Sequence, residues 1–251
     1  MINQKHLTGL ALAALLATGV ACTSTGTAIA QEENGKTVSL SSDELVAIAY
    51  IDSKHDSRDV FFDEYFPKVL PAIEDAGGKV LAKFETIDVE EGDLTPQYVL
   101  LLQYPSVEAF QQAATDPRAV QNLSIRENAL RDFRIGFFNI PEDVTLTFED
   151  DVVYEFFAGT PAGPETPQKL QSFFQNVIPT ALEYGRADAL QLAPVQFDRN
   201  SYFRPIAGLA TWPTAAHFEQ FTNTDVFRTN VENLRNPAFG ELELINTYFV
   251  E

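Results

Sequence analysis

Residues 44–141 switch between two hydrophobic periods. Leu45–Ile51 is a near-continuous apolar run of strand formers. Arg58–Ala76 then carries apolar residues at Phe62, Phe66, Val69, Leu70 and Ile73, the stripe of an amphipathic helix. Gly77-Gly78 predicts the end of that helix, because glycine accepts the left-handed conformation of a C-terminal cap. Lys79–Val89 predicts a second strand with EEGDLTP as its turn, and Gln97–Tyr104 a third, apolar at almost every position and therefore central. Pro105-Ser106 opens a short helix carrying Val107 and Phe110. Asp116-Pro117 marks a further helix start, and Phe133–Ile140 the last strand.

The pattern returns 108 positions later: Leu101 pairs with Leu209, Tyr104 with Trp212, Pro105 with Pro213 and Phe110 with Phe218. The same offset lays Glu44–Tyr50 over Val152–Ala158, Pro71 over Pro179 and Gly77 over Gly185. Ile135–Asn139 matches Ile245–Phe249 after a slip of two residues. A constant spacing that includes prolines and a glycine reads as an internal duplication. The second copy predicts elements at 151–158, 167–185, 188–197, 203–212, 214–234 and 241–250. Each copy has the order βαββαβ, an α+β ferredoxin-like plait. Strands apolar on both faces need cover on both, so the two sheets are expected to pack together as an intramolecular barrel with helices outside and a pseudo-twofold axis. That arrangement makes a monomer the expected state.

The N-terminus lies outside this pattern. Lys5, a small-apolar run and Ala28-Ile29-Ala30 read as an export signal over 1–30, which implies a periplasmic or secreted protein. Val20-Ala21-Cys22 supports an alternative, lipidation of Cys22. Residues 31–43 are polar and read as a tether, leaving domains at 44–141 and 151–251. The net charge is −19, and loss of residues 1–30 makes it one unit more negative. Such a surface repels phosphate backbones, which argues against nucleic acid as a partner. No later apolar run is long enough to span a bilayer, so an integral membrane protein is not expected.

Catalytic motifs are thin. There is no nucleotide-binding glycine fingerprint and no GxSxG elbow. No histidine spacing suits a metal, so neither a metal nor a cofactor is expected. A lone His217 early in a helix leaves haem ligation as an alternative. The polar groups embedded in aromatic strands are the better candidates: Tyr50, Tyr104 and Tyr202 for holding a small hydrophobic or aromatic ligand inside the barrel, with His217 beside them. Tyr65, Arg204 and Trp212 are candidate catalytic residues, Arg204 pairing an enolate or carboxylate.

The run FFDEYFPKVLPAIEDAGGKVLAKF followed by YVLLLQYPSVEAF resembles the dimeric α/β-barrel superfamily, and within it the family numbered thirteen-thirty among domains of unknown function. The resemblance covers about 45–140 directly and 151–251 only through the repeat. It implies the plait fold and a pocket between sheet and helices. The superfamily also holds monooxygenases that need no cofactor, isomerases and haem-binding proteins, so it implies no single reaction. Tyr65 faces Phe173 in the second copy and Gly78 faces Arg186; a site marked by Tyr65 and the glycine pair would survive only in the first copy. The expectation is an exported small-molecule-binding or structural module, the alternatives being a cofactor-independent monooxygenase or isomerase and a haem-associated protein.

Overall fold

The computed structural model describes residues 35–57, 59–197 and 202–250. The export signal read at 1–30, Cys22 within it, and the start of the tether lie outside the described residues. Among the described residues there are ten strands: β1 Gly35–Leu40, β2 Leu45–Ser53, β3 Lys79–Glu91, β4 Tyr98–Tyr104, β5 Leu130–Asn139, β6 Val144–Glu149, β7 Val153–Pro161, β8 Ala187–Pro194, β9 Ile206–Trp212 and β10 Phe239–Val250. The helices are α1 Phe66–Asp75, α2 Val107–Thr115, α3 Pro117–Gln121, α4 Leu123–Ala129, α5 Thr166–Glu183, α6 Ala215–Thr222 and α7 Asp225–Asn230. A π-helical turn, Phe61–Tyr65, precedes α1, and another, Val231–Arg235, follows α7.

Eight strands close one barrel in the order β10-β3-β4-β2-β5-β8-β9-β7. Each half contributes the same antiparallel order, β3-β4-β2-β5 and β8-β9-β7-β10, as a plait requires. The halves meet edge to edge at two seams of unequal length. Seven residue pairs join β10 to β3, but only Phe138–Pro194 and Asn139–Ala193 join β5 to β8.

The repeated glycine and proline have a shared cause. Gly77 and Gly185 adopt φ values of 79° and 81° at the ends of α1 and α5. A Cβ on Gly77 would come within 2.9 Å of Pro105, and one on Gly185 within 2.6 Å of Pro213. Each helix end therefore lies against the proline that follows the central strand, a contact only glycine permits.

Two expectations change. The slip between the last strands is one residue, not two: Phe137 pairs with Ala47 while Asn246 pairs with Glu155. A one-residue shift turns a side chain to the other face of a strand, so it decides where Asn246 points. Residues 35–40, expected within the polar tether, form β1 and pair with β6 as a separate two-stranded ribbon. Alternation explains why the segment looked polar. Lys36 and Thr37 face solvent while Val38 and Leu40 are buried with the barrel core.

The barrel interior is a packed core. Phe84, with no exposed surface, sits at its centre in edge-on or tilted contact with Phe148, Tyr154 and Phe156 at 5.1–5.2 Å. The expected ligand pocket inside the barrel is thus replaced by aromatic side chains. The apolar cavities lie outside it, one in each half, between sheet and helices.

Candidate functional site

The second-half cavity, about 160 Å³, lies between the outer faces of β7, β9 and β10 and the helices α5–α7. Phe173, Phe218, Phe221 and Phe227 supply its apolar wall. Trp212 is 1% exposed, with its ring 5.4 Å from Phe218 and 4.8 Å from Phe221. Its indole Nε1–H donates to Glu155 Oε2 at 2.8 Å.

A polar row continues from this bond across the strands. Asn246 on β10 lies directly opposite Glu155 on β7, and its Nδ2 donates to Glu90 Oε1 on β3 at 3.3 Å. Because β3 belongs to the first half, the row crosses the longer seam. Asn246 is 2% exposed and its Oδ1 accepts no hydrogen bond from a described residue. Burial, then the nearby charges of Asp88 and Glu155, push the Glu90 carboxyl above its ordinary range. Arg235 also lines the cavity, paired with Glu91, and Arg186 reaches Asp188 at 2.7 Å. Burial draws Arg235 down while Glu91, Glu155 and Glu90 pull the other way. The result is an apolar chamber with the carboxylates of Glu90 and Glu155 on its floor, suited to an aromatic molecule that donates hydrogen bonds.

The first-half cavity, about 140 Å³, is bounded by the outer faces of β2, β4 and β5, α1–α4 and the π-helical turn before α1. Here Ala47 and Phe137 stand where the other half has Glu155 and Asn246. Tyr65, Tyr104 and Arg126 are its polar lining. Burial raises the Tyr65 hydroxyl while Arg126 draws it down; burial, with Tyr65 nearby, raises Tyr104 above the usual phenol range.

The residues singled out from sequence fall in separate places. Tyr65 and Tyr104 share the first-half cavity, and Trp212 lies in the second. Tyr50, Tyr202 and Arg204 meet at one mouth of the barrel. The Tyr50 and Tyr202 rings are 5.6 Å apart, and the Arg204 guanidinium is 4.5 Å from the Tyr202 ring centre. Arg204 pairs with Glu241 at 3.1 Å, and Tyr202 Oη finds no partner among described residues. The three candidate catalytic residues therefore do not converge.

His217 is exposed in the first turn of α6, its Nδ1 2.8 Å from Thr214 Oγ1, and it lines neither cavity. These two cavities have the volume of a single-ring molecule, and the larger polar cavity of about 990 Å³ at the barrel mouth, lined by Tyr202 and Arg204, contains no histidine among its described lining residues. The residues do not fit a haem. Among the described residues no cluster of histidine, cysteine or carboxylates is arranged for a metal.

Glu90, Glu155 and Arg235 were missed. Glu155 carried a signal, an acid inside the apolar run VVYEFFA, but both faces of that strand are buried and the alternation that would give its direction is absent. Glu90 reaches the site only through the seam.

Among solved structures, 82 chains match. An anthrone oxidase-like protein is similar at 12% identity with a TM-score of 0.55, over 85% of this chain and 95% of that one. A haem-binding protein from Thermus thermophilus is 10% identical with a TM-score of 0.45, over 86% and 94%. A protein of unknown function from Rhodopseudomonas palustris is 20% identical with a TM-score of 0.33, over 42% and 82%. No curated protein sequence matches. The profile of the family described as "Domain of unknown function (DUF1330)" matches residues 47–135. The chain thus carries a DUF1330 match in its first half and has the fold of the dimeric α/β-barrel superfamily.

Proposed function

We propose that the protein binds a small aromatic molecule bearing a hydrogen-bond donor, such as a phenol, in the second-half cavity. The observation that carries this reading is the set Trp212, Glu155 and Glu90 on the floor of an aromatic chamber, Glu90 being held by a hydrogen bond from Asn246. A cavity near 150 Å³ takes a benzene-sized ring, and the set offers acceptors at one end of it. The chain has one tryptophan, so Trp212 reports occupancy. Phenol should change Trp212 emission at lower concentration than toluene, which has no donor. Equal potency of the two, or emission that neither alters up to millimolar concentration, would sink the proposal.

The sequence supports export through residues 1–30, and a barrel closed within one chain supports a monomer. The N-terminal mass of protein recovered from outside the cytoplasm tests the first, and light scattering the second. No described helix is long and apolar enough to cross a membrane.

Catalysis is the second reading, favoured by Glu90. A carboxylate held above its ordinary range at an apolar cavity takes a proton from an acidic O–H or C–H of the bound molecule. Exchange of the α-hydrogens of cyclohexanone for deuterium tests it. Wild-type protein should accelerate the exchange and E90Q should not; equal rates remove Glu90 from any chemistry.

A further inference from the structure

Among the described residues, Arg126 differs from the other cavity arginines in pairing with no carboxylate. The chain holds 36 Asp and Glu against 17 Lys and Arg, so a cation is easily neutralised. Arg118 has Asp116 and Asp75, Arg131 has Asp52, Arg134 has Asp132, Arg186 has Asp188, Arg204 has Glu241 and Arg235 has Glu91. Arg126, half-buried on α4, has no such partner among the described residues. Its guanidinium lies 5.1 Å from the Phe133 ring centre and 5.9 Å from that of Tyr65, and it lines the first-half cavity.

Stacking on a ring occupies the face of a guanidinium and leaves its in-plane N–H fork available. In the second half the corresponding arginine, Arg235, also lines its cavity and lies 5.8 Å from the Phe227 ring centre, but its fork is filled by Glu91. Among the described residues lining the first-half cavity there is no such anion. Apart from Arg126, Tyr65 and Tyr104, its cavity wall is apolar, including Ala49, Phe61, Leu100 and Ala113. Such a chamber accepts one aromatic ring, and an arginine fork that pairs with no carboxylate of the described residues binds one beside the Tyr65 hydroxyl, which Arg126 also contacts.

We propose that the first-half cavity is a separate binding site for a small aromatic carboxylate, held by a bidentate pair with Arg126. The site is independent of the phenol reading: it shares no lining residue with the second-half cavity and lies in the half without tryptophan.

Benzoate and its neutral counterpart benzamide are the probes, titrated by calorimetry into the full chain freed of its export signal. Benzoate should bind at least about tenfold more tightly than benzamide, the value of one charge-assisted pair. R126Q should remove that preference, R126K should keep part of it, and Trp212 emission should stay unchanged throughout. Should R126Q fail to fold, the benzoate–benzamide comparison on the wild-type chain decides alone. Equal affinity of the two, undiminished benzoate binding by R126Q, or a benzoate-dependent change in Trp212 emission would overturn the proposal. Failure of phenol to alter Trp212 emission touches only the other cavity.

Discussion

The two cavities occupy equivalent places in equivalent halves, yet their floors have opposite character. In the second half Trp212, Glu155, Asn246 and Glu90 run as a polar row beneath the helices. In the first, Tyr104, Ala47 and Phe137 occupy those strand positions, and the polar element is Arg126 on the helical side. One backbone plan therefore presents acceptors from the sheet in one half and a cation from the helices in the other. The fold fixes where a chamber forms, and a few side chains fix its chemistry.

The most severe way to break the comparison is to write one half's residue into the other. Ala47→Glu places a carboxylate where Glu155 sits in the second half, but with no Trp212 or Asn246 to receive it. Ala47 has no exposed surface, so an unpaired charge there should cost about 3–5 kcal/mol in urea unfolding. A loss below about 1 kcal/mol would mean that the first-half floor tolerates charge. Trp212→Phe is the next largest. It keeps most of the packing but leaves Glu155 without its indole donor, and should cost about 1–3 kcal/mol.

Glu90→Gln gives a smaller effect that depends on pH. The folded carboxyl is held above its ordinary value of 4.5, so its ionisation disfavours the folded state. Wild-type stability linked to this group is fully present below that value and is lost as pH rises through the raised one. The variant should therefore gain on wild type as pH rises from acid to neutral, with no gain at the acid end; the opposite trend would contradict the direction of the shift. His217→Ala is the smallest. An exposed ring hydrogen-bonded only to Thr214 should be worth less than about 0.5 kcal/mol, with phenol and benzoate responses unchanged.

The plait was legible because its signals are local. Gly77 and Gly185 end helices, Ser106 caps α2 by accepting from Ala109 N–H at 3.2 Å, and Gln97–Tyr104 is apolar enough to be central. Direction was not legible. In a strand buried on both faces, Glu155 and Tyr154 look alike in sequence, yet one faces the helices and the other the barrel interior. Repeat spacing placed Ile245 over Ile135, whereas strand pairing places it over Gly136, and that single step settles the face of Asn246. Tyr65, Arg204 and Trp212 share a chemical vocabulary, but no pattern along the chain showed that three separate regions would receive them.

Two copies of a single-length chain related by a twofold axis must make the same junction twice, since whatever one edge does to its neighbour the axis repeats. A barrel closed within one polypeptide is free of that obligation. Here β10 and β3 share seven residue pairs and β5 and β8 only two. The ring therefore has a welded side and a clasp. Amide exchange should be fastest along the clasp, at Val195 and Tyr202, whose N–H groups bond Phe137 and Ile135 across it, and slowest along β10. Any breathing large enough to admit water to the barrel core would start there, in a direction a symmetric pair of chains could not choose.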